Sequence, residues 1–218
     1  MVQLFNLTVP EDRSRGDMDA YLHLDGRAVP FELKSTTGAS VSTVRDFGPD
    51  HIRKWRDGLH WLFAFYDRSG TRLRHCVYAS PHDMEPWIAD KERYIRPDIL
   101  LADMAPPLVT AKAVRRILGD KDVYSLDDAK WIMKNQWSAA DFRDHRDLPN
   151  GYSLEQMTHI LPLRARYAIL RGATLNNPHI EGRFFDSFER ITEEHAIRLR
   201  EMVRAYLAKA DSTDRATA

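Results

Sequence analysis

Four residues near the start of the chain have the types and spacing to do chemistry together: Asp17, Asp19, Glu32 and Lys34. Between the acids stands Asp25-Gly26, a two-residue hairpin signal, because a type I′ turn needs positive φ at both central positions. Folding the chain there, with Leu24 opposite Arg27, places Asp19 across from Glu32 and Asp17 across from Lys34. Directly opposed residues have Cβ atoms about 4.5–5.5 Å apart. Residues 32 and 34 share a face because side chains alternate along a strand. Two carboxylates that close repel unless a proton or a cation joins them. A hard cation such as Mg²⁺ suits an all-oxygen site and keeps waters for chemistry. An ammonium beside it can orient or deprotonate a bound water. The competing reading is a solvated ion-pair cluster on an exposed sheet face, which is nearly energy-neutral. Against it, Ala28, Val29, Pro30, Phe31 and Leu33 embed the charges in an apolar strand, where an unpaired acid is costly.

Asp19, twelve intervening residues, then Glu32-Leu33-Lys34 resembles the PD-(D/E)xK nuclease signature, the active site shared by most type II restriction endonucleases. Ser35-Thr36-Thr37 adds to the likeness, since such enzymes often follow the lysine with small hydroxyl residues. Met18 stands where the motif often has proline. The resemblance implies an α/β (α+β) fold with a restriction-endonuclease-like mixed β-sheet core flanked by helices. It implies Asp19, Glu32 and Lys34 as catalytic residues. Mg²⁺, with Mn²⁺ as a substitute, would be held by Asp19, Glu32 and the Leu33 carbonyl. Lys34 would position or deprotonate the attacking water, and hydrolysis of double-stranded DNA would leave a 5′-phosphate and a 3′-hydroxyl. Asp17 departs from the simple pattern: a second metal ligand, a partner for Lys34, or the true first ligand.

The elements that must position these groups can be read in order. Residues 2–9 read as a strand with partial alternation, followed by hairpin strands at about 18–24 and 28–35. Pro49 and Asp50 open a short helix over 49–57, ended by Gly58. Leu59–Tyr66 is a continuous apolar run, as in a strand buried on both faces, and a strand at about Leu73–Tyr78 follows the turn Arg68-Ser-Gly-Thr. This order is similar to the αβββαβ core of the resembled family, except that its leading helix has no room before residue 2. A helix from the C-terminal half must then cover that face, or the strand reading of 2–9 is wrong. Residues 81–218 read as mainly helical: about 83–94, 110–118, 125–135, 138–142, 153–171 and 184–207. In the last, Phe185, Phe188, Ile191, His195, Leu199, Met202 and Tyr206 fall at three- and four-residue steps. Pro97, Pro106 and Pro107 mark a boundary, giving a nuclease core over 1–96, a helical recognition and dimerisation sub-domain over 97–209, and a disordered tail over 210–218.

Composition sets outer bounds. The chain has 218 residues, 43% hydrophobic and 29% charged, with 32 basic and 32 acidic side chains. That is ordinary for a globular domain, and zero net charge leaves any nucleic-acid footprint to local patches. The single cysteine, Cys76, rules out an internal disulfide and fits a reducing compartment. The nine histidines show no zinc spacing. No signal peptide and no membrane span is expected, and the cytoplasm is the expected location.

Two windows have the chemistry of DNA contact. From Lys34 to Arg45 there is no acid, and Ser35, Thr36, Thr37, Ser40, Ser42 and Thr43 supply hydroxyls beside Arg45; hydroxyls and arginine are the groups that meet phosphate oxygens. From Met157 to Ile180 there is again no acid, and the window ends in a loop carrying Arg171, Thr174, Asn176, Asn177 and His179. Asn pairs bidentately with adenine and Arg with guanine. Lys54, on the short helix, joins this set of expected DNA contacts. The helical half favours sequence-specific reading, and palindromic sites are read by two-fold dimers. The expectation is therefore a homodimeric type II restriction enzyme. The alternatives are a structure-specific nuclease of junction or repair type, and a DNA-binding protein without catalysis.

Overall fold

The Asp25-Gly26 turn forms with φ of 50° and 79° at its two central residues. It joins β1 (Ala20–Leu24) to β2 (Arg27–Thr36) in antiparallel register, with Leu24 opposite Arg27 and Ala20 opposite Phe31. The computed structural model describes residues 1–12, 17–45, 47–173 and 177–217; the side chains of residues 173 and 213–217 lie outside the description.

Before the hairpin, α1 (Val2–Phe5) is one turn of helix, closed by Asn6 in the left-handed region at φ 53°. The strand expected over 2–9 shrinks to a single bridge between Thr8 and Tyr21. Phe5 and Leu7 of the alternating set do enter the core, but Val9 stays exposed and Asn6, between Phe5 and Leu7, turns into the left-handed region, which breaks the extended run.

After β2 comes the short β3 (Val41–Ser42), then α2 (Pro49–Arg56), with Pro49 at its first turn and Gly58 at φ 64° just beyond it. Next follow β4 (His60–Tyr66) and β5 (Leu73–Ala79). The sheet order is β1-β2-β4-β5, with β2 and β4 parallel and the outer pairs antiparallel. Parallel neighbours need a crossover, and α2 is that crossover. The fold is thus mixed α/β, a four-stranded mixed sheet with helices.

Helix α3 (Pro81–Met104) starts at a reciprocal cap, in which Ser80 and Asp83 exchange backbone and side-chain bonds. It runs through Pro97 and stops before the turn at Pro106–Leu108, ten residues beyond the expected end at Tyr94. Four helices follow: α4 (Ala111–Leu118), α5 (Leu126–Met133), α6 (Ala139–Asp144) and α7 (Leu154–Ala173). Ser125 and Ser138 cap α5 and α6, each accepting from an Asp amide three residues on. β6 (His179–Ile180) then pairs with β3, and α8 (His195–Thr217) closes the chain.

The single helix expected over 184–207 is not formed. Residues Gly182–Phe185 make a short 3-10 turn, Ile191 bridges Cys76 at the edge of β5, and α8 begins only at His195. From His195 on, the three- and four-residue spacing is that of α8 itself; before it the spacing has another origin, since residues 184–194 run along the edge of β5. Phe185 packs on Phe63 and Phe65, whereas Ile191 and Leu199 join the core on the other face. The tail expected to be disordered is helical through Thr217, and Asp211 pairs with Arg27 at 3.0 Å.

The chain divides into two compact units, residues 1–92 with 176–218, and residues 93–175, with the boundary inside α3. The expected division after residue 96 left the last helix with the helical half; instead residues 176–218 return to the first unit. In the first unit, one face of the sheet packs Leu22, Phe31, Leu62 and Tyr78 against Phe5 of α1 and Leu199 and Val203 of α8. The other face carries Trp61 and Phe63 beneath Trp55 of α2 and Trp87 of α3. The second unit has its own core around Tyr124, Tyr152, Met157 and Ile160. There Tyr124 and Tyr152 exchange backbone hydrogen bonds of 2.9 and 2.8 Å. α4 and α5 both pack on α7, as helices of a packed sub-domain do. Among the described residues no helix is long and apolar enough to cross a membrane.

Candidate active site

β2 carries Glu32 on the face that α2 covers, next to Trp61 of the parallel neighbour β4. Glu32 is only 3% exposed. A carboxylate so buried needs partners, and it has two. Lys34 Nζ donates to Oε1 at 2.6 Å and Lys54 Nζ donates to Oε2 at 2.9 Å. Burial pushes the Glu32 carboxyl up, and the Lys34 and Lys54 ammonium groups more than reverse this, leaving it below the ordinary Glu value. Lys34 reaches it because residues i and i+2 share a strand face. Lys54 reaches it because the β2–α2–β4 crossover lays α2 over this face, with Ile52 and Trp55 turned into the core.

Asp19 sits one step beyond the Ala20–Phe31 pair, where the hairpin register predicted. Its amide donates to the Phe31 carbonyl at 3.1 Å, and its Oδ2 accepts from the Leu33 amide at 2.7 Å. The odd residues of β2 therefore turn their backbone groups toward the β1 edge, and the Leu33 carbonyl lies on the same edge as Asp19. Asp17 is exposed and contributes its carbonyl, which accepts from Lys54 Nζ at 3.0 Å. The structure thus joins Glu32 and Lys34 directly, sets Asp19 at the register position opposite Glu32 with its carboxylate on the Leu33 amide, and joins Asp17 through its main chain.

The set suits a hard divalent ion. Among the described residues no cluster of three or more His, Cys, Asp or Glu side chains could hold a metal. Two carboxylates, one backbone carbonyl and water are a donor set that Mg²⁺ accepts, since it keeps several waters and takes one or two carboxylates.

The expected DNA contacts fall into three groups. β3 and β6 pair Val41 with Ile180 and Ser42 with His179, so the two acid-free windows meet. There Ser42 Oγ and His179 Nδ1 lie 3.1 Å apart, on exposed residues. Ser35, Thr37, Ser40, Arg45 and Asn177 are also exposed. Ser35, Thr36 and Thr37 line an open cleft of about 600 Å³ with Tyr66 and Gly70. Thr36 Oγ1 donates to the Ser40 carbonyl at 2.8 Å, and so shapes the loop as well as lining the cleft. Two expected contacts are spent on the fold. Thr43 is buried and donates to the Pro178 carbonyl at 2.9 Å, and Lys54 is held by Glu32. Arg171 is exposed in the second unit. Thr174 and Asn176 lie outside the described residues.

Sequence reasoning missed two neighbours of the site. One is the role of Lys54, which was assigned to DNA. The other is His51, one turn earlier on α2, whose Nδ1 accepts from the Gly48 amide at 3.3 Å. Burial and then the nearby Lys54 lower the His51 pKa, which keeps the ring neutral. The crossover itself was the available signal: any helix joining parallel β2 and β4 must lie on a face of these strands, and Ile52 and Trp55 mark its inward side. No protein-family model and no curated protein matches the chain.

Proposed function

We propose that this protein is a Mg²⁺-dependent endonuclease that hydrolyses double-stranded DNA, sequence-specific in the manner of a type II restriction enzyme and acting as a homodimer in the cytoplasm. The observation that carries this reading is Glu32: a 3%-exposed carboxylate on a sheet strand, with Asp19 across the hairpin and Lys34 Nζ 2.6 Å away. The order helix, bridge, hairpin, crossover helix and parallel strand around it supports the same reading.

Asp19, Glu32 and the Leu33 carbonyl would hold the metal, which when bound stabilises the charge that grows on the phosphate. Lys34 donates a hydrogen bond to the attacking water and fixes its line of approach. Burial of Glu32 beneath α2, with both its oxygens hydrogen-bonded, fixes the position of the carboxylate. In-line attack forms the P–O bond to water oxygen and breaks the bond to the 3′-oxygen, which leaves as the 3′-hydroxyl beside a 5′-phosphate. Ser42, His179 and Arg45 on the β3–β6 side are the groups proposed to meet DNA, with Ser35, Thr37, Ser40 and Asn177, and with Arg171 on the second unit.

One observation favours a second reading. Both oxygens of Glu32 already carry an ammonium group, as they would in an ion-pair cluster without catalysis. Incubation with circular plasmid in Mg²⁺, and again in EDTA, separates the two. Discrete fragments in Mg²⁺ alone support the restriction-type enzyme. Smearing or junction-only cleavage gives a structure-specific nuclease, and no cleavage of any DNA removes catalysis. Glu32→Ala abolishes cutting while DNA binding persists; a variant that still cuts overturns the site assignment.

A further inference from the structure

Glu32 holds two ammonium groups where the proposed function places a divalent cation, and the two are tethered differently. Lys34 belongs to the same strand two residues on, so its backbone is fixed relative to Glu32. Lys54 arrives on a separate element, α2, so its ammonium can withdraw without any change in β2. It bridges Glu32 Oε2 at 2.9 Å and the Asp17 carbonyl at 3.0 Å. It thereby ties α2, β2 and the segment leading into β1 around one buried charge. A divalent ion on Glu32 and an ammonium in contact with the same carboxylate repel strongly at such range, and Lys54 is the group with freedom to leave.

We propose that Lys54 is a resident stand-in cation: it neutralises Glu32 in the metal-free protein and is displaced when a divalent cation binds Asp19 and Glu32. The proposal rests on the metal site of the reading above. It makes Lys54 a positioning residue that acts through Glu32. A buried acid without its cation is strongly destabilising, so the lysine keeps the site folded before metal arrives. The same contact makes metal binding an exchange of one cation for another, which weakens it.

The test is calorimetric titration with Mn²⁺, without DNA, on the wild type, Lys54→Met, Lys54→Gln and Lys54→Arg, with thermal melts in EDTA. Removing the charge tightens Mn²⁺ binding by about tenfold or more, and Lys54→Arg stays near wild type. Lys54→Met and Lys54→Gln melt lower in EDTA and recover with Mn²⁺. A residue that merely braces α2 gives weaker or unchanged Mn²⁺ binding when removed, and that result overturns the exchange, as does a wild type that binds no Mn²⁺. A second measurement needs no variant. Acylation of wild-type Lys54 by an amine-reactive reagent, read by mass spectrometry, rises in Mg²⁺; unchanged labelling overturns the proposal. Tighter Mn²⁺ binding without DNA cleavage removes the nuclease reading and keeps the exchange. Cleavage with Mn²⁺ affinity unmoved by Lys54→Gln does the reverse.

Discussion

Glu32 stays ionised against its own burial because Lys34 and Lys54 flank it. Its folded-state pKa lies below the ordinary 4.5, so the unfolded chain binds the proton more readily. The stabilisation from this group is complete above about pH 4.5 and is lost as pH falls through the folded value. Lys34→Met removes one of the two opposing cations. The acid limb of the stability curve then moves to higher pH in urea unfolding between pH 7 and 4, and DNA cleavage is lost. An acid limb that stays in place would contradict the account of Glu32. At this scale the sequence was unusually legible. Asp-Gly turn chemistry fixes the register, and register alone brings Asp19 to Glu32 and Lys34. What it could not supply was Lys54, because that contact depends on how a helix crosses the sheet and not on pairing along it.

Among the elements, β4 carries the clearest pH response away from the site. His60 is buried, and its Nδ1 lies 2.7 Å from the Tyr78 hydroxyl. Burial lowers its pKa from 6.5 to about 4. The unfolded chain therefore takes up a proton between these values while the folded chain does not. Stability from His60 is complete above pH 6.5 and falls as pH drops toward 4. The loss is roughly 2 kcal/mol by pH 5. His60→Gln flattens that slope in paired urea titrations at pH 7 and pH 5; an equal slope in the variant would refute the assignment. The β3–β6 pair makes a different prediction. His179→Ala weakens DNA binding, measured by fluorescence anisotropy, while moving stability by no more than about 0.5 kcal/mol, because the side chain is exposed. Unchanged affinity would take His179 out of the interface. β2, β4 and β5 were readable from alternation and apolar runs, and α5 from its Ser125-x-x-Asp128 cap. Residues 184–194 were not, because three- and four-residue spacing arises equally from a helix and from a chain that wraps an edge, whereas 195–207 form the expected helix.

At the scale of the whole molecule, the two compact units have separate hydrophobic clusters among the described residues. The first draws on residues from Phe5 to Val203, and the second lies wholly within 93–175. Truncating a fully buried leucine costs about 2–5 kcal/mol. Leu199→Ala therefore lowers the stability of the sheet unit by that amount, while leaving the unfolding of the Tyr124–Tyr152 core in place. Urea melts followed at several wavelengths test this, and one shared transition that shifts as a whole would show that the cores do not unfold separately. Element order and the family resemblance gave the mixed class, and periodicity gave the helical second half. It could not reveal that the last helix returns to the first unit, since amphipathic periodicity says that a face will be buried and not against what.

That return has a consequence for how the protein is made. Asp19, Glu32 and Lys34 are translated before α8, so the sheet beneath them lacks Leu199 and Val203 on its other face until translation has passed residue 203. Arg200, whose guanidinium donates to the Phe5 and Asn6 carbonyls at 3.2 and 3.3 Å, then latches α8 to α1. The site therefore stands on a sheet whose other face is completed only by residues far along the chain.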